Sequence, residues 1–135
     1  MKTAQSGTAI VVLHAIAHAL HGLAHVKIPV PLSSLQSVFI VAVIFLAPVI
    51  AAILLWTTFD RLGNWLLLSS MAGAVLFGIY NHLIVMSPDH VSQVSFASWG
   101  LLFQITAVLT LVVDGFGFWI GIRGLKSTPK LKEVS

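Results

Sequence analysis

Histidines are concentrated in one stretch of the sequence, HAIAHALHGLAH, between His14 and His25. His14, His18, His21 and His25 follow one another at spacings of four, three and four residues. On an α-helix, at about 100° per residue, these four side chains fall within an arc of about 60°. Imidazole binds transition metals, and it gains and loses a proton near neutral pH. The stripe therefore indicates a metal site, a haem site or a path for protons.

The metal hypothesis uses the end of the stripe and a second histidine-containing segment, NHLIVMSPDH. His21 and His25 are four residues apart, the spacing at which two helical histidines chelate one ion. His82 is predicted to supply a third ligand from a facing helix. Asp89 and His90 follow in a loop and are predicted to close or gate the site. Such a site would bind Cu, Zn or Fe with one position open.

Other polar side chains are predicted to orient the imidazoles or to relay protons. They are His14, His18, Gln36, Asn81, Gln104 and Asp114. Helix rise spreads the histidine stripe over ~17 Å, which is too far for a single ion. We therefore expect two polar layers, with His14 close to Asp114 in the lower one and His18 connecting the layers.

Three alternatives to a metal ion stay open. Haem b would need His82 together with His21 or His25 as axial ligands at matched depth. A proton path, or one for another small ligand, would use the stripe as a ladder with Asp114 at its foot. A non-catalytic accessory subunit would use the polar residues only to fix helix register. Hydrolysis is disfavoured because the chain has no HExxH, no GxSxG and no paired carboxylates. Whether the protein is an enzyme stays open.

Composition places the chain among membrane proteins. It is 58% hydrophobic and 8% charged, with mean hydropathy +1.01, whereas about a quarter of the residues in soluble domains are charged. Spans of the length needed to cross a bilayer are predicted at 8–26, 35–56, 62–86 and 97–122. The predicted fold is an all-α, antiparallel bundle of four transmembrane helices that occupies residues 1–135 as a single domain. With no cysteine present, disulfides and thiolate metal sites are excluded.

Two features of the spans predict how the helices pack. Pro48 stands in the middle of the second span, where it removes a backbone hydrogen bond and kinks the helix. The third span is rich in small residues, which allow helix backbones to approach closely in lipid. They are Ser69, Ser70, Ala72, Gly73, Ala74 and Gly78.

Basic residues predict the orientation of the chain. All but Lys27 lie in the N-terminus, in the second loop or in the tail at 123–135, namely Lys2, Arg61, Arg123, Lys126, Lys130 and Lys132. The positive-inside rule therefore predicts that both termini are cytoplasmic and that the protein is a multi-pass component of the inner or plasma membrane. We expect the first span to be retained rather than cleaved as a signal peptide, because histidines interrupt its apolar run.

The length and the four-span layout are similar to those of small bacterial membrane proteins that accompany respiratory complexes, including the DoxX-like proteins. This likeness is one of size and hydropathy, so it assigns a role to no residue. The lipid bilayer is the expected partner, and a larger membrane or respiratory complex or a homo-oligomer stays open. Nucleic acid is not expected, since there is no stacking or groove-reading motif.

Overall fold

Four long helices form most of the protein in the computed structural model, which describes residues 2–28 and 30–127. They are α1 (Lys2–Lys27), α2 (Ser34–Leu54), α3 (Asp60–Ile84) and α4 (Trp99–Ser127). A 3-10 turn, Val91–Gln93, lies between α3 and α4, and the described residues include no strand. Each long helix has the length and apolar composition needed to cross a membrane, so the all-helical prediction is confirmed.

The helix ends differ from the predicted spans. α1 begins at Lys2 rather than at residue 8, and its added turn is held by the buried residue Ala4. α2 ends at Leu54 and α3 at Ile84, each shortly before the predicted limit, whereas α4 continues to Ser127. Hydropathy finds the apolar stretch, but backbone hydrogen bonds continue into polar residues at its ends. The remainder of the predicted tail, 128–135, lies outside the described residues.

Contacts between neighbouring helices show that they run in opposite directions. Between α1 and α4, His14 meets Asp114, and the later residue His21 meets the earlier residue Thr106. In the same way, later residues of one helix meet earlier residues of the other between α1 and α2, α2 and α3, and α3 and α4. α1 and α3 are therefore parallel to each other and antiparallel to α2 and α4.

Glycines allow α4 and α2 to approach α3 closely. A Cβ atom placed on Gly121 would lie 2.9 Å from the backbone nitrogen of Leu68. A Cβ atom on Gly63 would lie 2.9 Å from the backbone nitrogen of Leu55. A side chain at either position would push two backbones apart, so these glycines set the separation of the helices.

Polar and apolar residues are distributed in the reverse of a soluble protein. The exposed helix faces carry large apolar side chains, including Val12, Ile16, Leu23, Val41, Ile53, Leu76, Val108, Val112 and Phe116. The interior holds ionisable and amide groups, including His14, His21, Asn64, Asn81, His82, Asp89, Gln104 and Asp114. An apolar exterior of this kind suits contact with lipid, where polar side chains turn inward.

Two π-helical segments interrupt the regular helices. The first, Ile40–Leu46, lies in α2 just before Pro48, and the Ala47 N–H donates to Ala42 O, five residues back. The second, Tyr80–Ile84, forms the end of α3 and contains His82. Segments of this type occur frequently at functional sites. The proline predicted the first irregularity, and no feature of the sequence predicted the second.

Candidate metal centre

Three imidazoles converge near one end of the bundle. His21 and His25 come from α1, and His82 comes from the π-helical end of α3. The Nε2 atom of His21 lies 3.1 Å from Nε2 of His82 and 3.1 Å from Nε2 of His25. Ligands around a tetrahedral ion, at metal–nitrogen distances of about 2.0–2.1 Å, lie roughly 3.3 Å apart. Two of the three nitrogen–nitrogen distances are thus close to those of a metal site, and all three ligand atoms lie within 4.8 Å of one another. We call His21, His25 and His82 the histidine triad.

The ring nitrogen of His21 that is not directed at the other imidazoles, Nδ1, is held by a side chain of α4. Nδ1 of His21 lies 2.9 Å from Thr106 Oγ1. The Thr106 hydroxyl donates its hydrogen to Leu102 O at 2.7 Å, so its oxygen accepts from His21. Since Nδ1 of His21 carries the hydrogen, Nε2 presents a lone pair to the centre of the triad.

The outer nitrogen of His82 is held by the loop after α3. Nδ1 of His82 lies 3.0 Å from the backbone carbonyl oxygen of Asp89. A carbonyl oxygen only accepts hydrogen bonds, so Nδ1 donates, and in the neutral ring Nε2 of His82 also carries a lone pair. Two nitrogen lone pairs that face each other at 3.1 Å repel unless a proton or a metal ion lies between them. A cation between the two nitrogens would remove this repulsion, and the hydrogen bonds of Nδ1 would hold both rings in place for it.

A carboxylate lies at the edge of the triad. Asp89 Oδ1 is 3.4 Å from Nε2 of His25 and 3.2 Å from Nδ1 of His82. Both Asp89 Oδ1 and Nδ1 of His25 are buried, and neither makes a well-formed hydrogen bond to any described residue. A buried negative charge beside three imidazoles would offset the charge of a bound divalent cation.

Phe103 of α4 forms an apolar wall behind all three imidazoles. Its ring centroid lies 5.1 Å from that of His21, 5.3 Å from that of His25 and 5.4 Å from that of His82. The Phe103 side chain is fully buried, so it restricts the rotation of the rings and excludes water on that side. Sequence reasoning missed both Phe103 and the role of Thr106. Their spacing of three residues, on the polar face of α4 that leads to Asp114, was the available signal.

His90 is not brought into the triad. Its Nδ1 contacts Ser92 Oγ at 2.8 Å, and its Nε2 lies 3.2 Å from Leu83 O. Both ring nitrogens are therefore engaged in the loop, and His90 lies beside the centre without belonging to it.

The three predicted amide side chains connect elements of the fold. Gln36 Nε2 donates to Asn81 Oδ1 at 2.9 Å and joins α2 to α3. Gln104 Nε2 donates to the backbone oxygens of Val91 and Val94 and holds the loop that precedes α4. Within the described ranges none of these amides hydrogen-bonds to an imidazole. The structure thus gives them partners other than those expected from depth alone.

A second polar cluster occupies the lower half of the bundle. Asp114 binds His14 Nδ1 through Oδ1 at 2.6 Å and His18 Nε2 through Oδ2 at 3.0 Å. The expected proximity of His14 to Asp114 is thus present in the structure. His18 belongs to this cluster through its hydrogen bond, whereas the sequence predicted that it would connect the two layers.

The lower cluster is less suited to a metal than the triad, although its three side chains are close enough to hold one. Nε2 of His14 lies 2.6 Å from the backbone carbonyl oxygen of Ile44. That oxygen only accepts, so Nε2 of His14 donates, and Nδ1 is already bound to Asp114. A metal would have to displace one of these two contacts, each of which connects α1 to another helix.

The triad geometry also bears on haem. Two axial imidazoles of a haem iron lie on opposite faces of the macrocycle, with their nitrogens about two metal–ligand bonds, roughly 4 Å, apart. The His21 and His82 nitrogens, 3.1 Å apart, are closer than that. His25 also lies beside His21 on the same helix and reaches the same point. This arrangement favours a bare ion over a haem held between His21 and His82.

The histidine triad is the strongest indication of function in the described part of the chain. No protein-family model matches the chain, and neither a curated protein nor a solved structure is significantly similar to it.

Proposed function

We propose that this is an integral membrane protein that binds one transition-metal ion through the Nε2 atoms of His21, His25 and His82. One observation supports this above all others. The outer hydrogen bonds of His21 and His82 direct two lone pairs toward each other at 3.1 Å. Copper, zinc and iron all accept imidazole, and three protein ligands leave a position for a fourth.

The metal would lie in the outer half of the membrane. The triad is near the C-terminal ends of α1 and α3. On this side of the bundle, Lys27 is the one lysine or arginine among the described residues. The opposite side carries Lys2, Arg61 and Arg123. By the positive-inside rule this second side faces the cytoplasm, and both termini lie there in an inner or plasma membrane.

We assign the lower cluster a structural and proton-holding role. His14, His18 and Asp114 fix the register of α1 against α4, and His14 also fixes it against α2. Among the described residues no direct hydrogen bond joins this cluster to the triad, which supports treating the two groups as separate sites.

Metal content tests the proposal directly. The protein would be purified in a mild detergent, stripped with a chelator, dialysed separately against Cu, Zn or Fe(II), and submitted to elemental analysis. We expect one ion per chain, and loss of that ion in His25→Ala and His82→Ala. His90→Ala is the matched control, because it removes a nearby imidazole that lies outside the triad. Wild-type protein without metal, or His82→Ala protein with full metal, would contradict the proposal. So would a Soret band in the absorption spectrum that depends on His82.

A further inference from the structure

A cavity of about 350 Å³ lies directly beside the triad, between α1, α2 and α3. Most of its wall is apolar, formed by residues such as Ile40, Phe45, Ala74 and Phe77. At one end its polar groups are the three triad imidazoles and Asp89. One helical turn below His21, they are His18 and Thr110. The cavity thus extends from the proposed metal toward the lower cluster.

The cavity opens on the face of the bundle that lipid would cover. Gly22 of α1 lines it, and a Cβ atom placed on Gly22 would meet no atom within 4 Å. Three apolar residues that line the cavity are also exposed on the surface of the bundle: Val26, Leu32 and Phe45. The surface near the mouth is therefore apolar, and a molecule dissolved in the bilayer would reach the cavity without crossing water.

His18 supplies a hydrogen-bond acceptor inside the cavity. Its Nε2 donates to Asp114 Oδ2 at 3.0 Å, because a carboxylate oxygen accepts. In the neutral imidazole the other ring nitrogen, Nδ1, then carries a lone pair. The His18 side chain is 11% exposed and lines the cavity. A ligand with one hydroxyl donor would satisfy this nitrogen.

Size and wall chemistry define the remainder of the ligand. An apolar cavity of about 150 Å³ accommodates benzene, so this cavity has room for one aromatic ring with a short substituent. Phe45 and Phe77 offer ring surfaces on its wall, and aromatic groups pack favourably against such rings. Among the residues that the structure describes, no lysine or arginine lines the wall.

We propose that the cavity binds a small lipophilic phenol that enters from the bilayer beside Gly22 and donates its hydroxyl hydrogen to His18 Nδ1. The bound molecule would lie next to the metal of the triad. The presence of a metal next to the ligand rests on the proposed function. The contacts that bind the phenol are made by the cavity and do not require the metal.

Binding of 4-propylphenol to the metal-loaded protein in detergent tests the inference. Gly22→Phe places a ring in the mouth of the cavity without meeting other atoms at Cβ. Gly115→Phe is the matched control, because Gly115 is exposed on α4 and its Cβ position is equally open. Partition of the phenol into the micelle is common to both variants, so the comparison between them removes it. We expect one phenol bound by wild type and by Gly115→Phe, and at least tenfold weaker binding to Gly22→Phe. The methyl ether, 4-propylanisole, should bind wild type at least tenfold more weakly than the phenol.

Equal phenol affinity in the two phenylalanine variants would overturn the inference, and so would equal affinity of the phenol and its methyl ether. Metal content is measured in the same samples. Wild-type protein that binds the phenol as expected but retains no metal supports the cavity assignment and contradicts the proposed function. Protein that retains the metal but binds no phenol contradicts the cavity assignment alone.

Discussion

His14 Nε2 donates a hydrogen bond to the backbone carbonyl oxygen of Ile44, 2.6 Å away in the middle of α2. Ile44 stands four residues before Pro48, and in an α-helix its carbonyl would accept from the N–H of residue 48. Proline has no N–H. The imidazole of α1 therefore provides the donor that the proline removed, so the irregularity in α2 is also the point at which the two helices are joined.

Restoring a backbone N–H at position 48 should make His14 less important for stability. His14→Leu leaves the buried Ile44 carbonyl without a donor, at a cost of about 1–3 kcal/mol. In a Pro48→Ala background the new N–H bonds to that carbonyl, and the cost of His14→Leu should fall by about 1 kcal/mol. The free energy of unfolding of the four proteins, measured by SDS titration in mixed micelles, gives this difference. An identical effect of His14→Leu in both backgrounds would show that the carbonyl does not depend on His14.

The pair formed by His14 and Asp114 should show strong coupling. Removing Asp114 leaves His14 Nδ1 without its carboxylate, and removing His14 leaves Asp114 with His18 as its partner. Loss of one partner of a buried ionisable pair costs up to about 3–5 kcal/mol. Both single changes disrupt the same contact, so the double variant should be more stable than the sum of the single changes predicts, by at least ~1 kcal/mol. Unfolding in the same detergent system measures this coupling. Additive effects of the two substitutions would refute it.

Thr106→Val should weaken metal binding without altering any of the three ligands. The valine cannot accept the hydrogen of His21 Nδ1, so the orientation and tautomer of that ring are no longer fixed. Loss of such an outer partner typically costs 10–100-fold in metal affinity. Thr110→Val is the matched control, since the Thr110 hydroxyl donates to Ala107 O and, among the described residues, makes no hydrogen bond to an imidazole. Competition with a chromophoric chelator measures both affinities, and equal affinities would remove Thr106 from the centre.

Gly121→Ala should destabilise the bundle, whereas Gly115→Ala should not. The new methyl group at position 121 meets the backbone of Leu68, and overpacking of this kind costs about 1–3 kcal/mol. At position 115 the methyl group meets nothing within 4 Å, and alanine favours the helix by up to about 1 kcal/mol over glycine. Thermal unfolding in detergent separates the two. Equal stability of the variants would mean that α3 and α4 do not depend on this close approach.

Much of the fold could be predicted because helices long and apolar enough to cross a bilayer have a simple sequence signature. Three nearly charge-free stretches and a weaker, histidine-containing first span predicted the four helices, since the apolar exterior must continue along each of them. The ends were less accurate, as at Lys2 and Ser127, because hydrogen bonding in a helix does not stop where hydropathy falls.

The sequence predicted those features of the candidate site that depend only on residue spacing along a helix. The one-turn spacing of His21 and His25, and the matched depths of His14 and Asp114, follow from rise and rotation along a helix. The partners of those residues across the bundle depend on helix packing, which no local pattern encodes. For that reason the Thr106 hydroxyl, the Asp89 carbonyl and the Phe103 ring were not predicted, and the amides of Gln36 and Gln104 received partners other than those expected.

X-ray absorption spectroscopy of the metal-loaded protein tests the central claim most directly, because it reports the atoms bound to the ion. We predict one ion per chain with three imidazole nitrogens at about 2.0–2.1 Å for zinc, and a loss of one imidazole or of the ion itself in His82→Ala. A spectrum without imidazole scattering, or one unchanged in His82→Ala, would contradict the account.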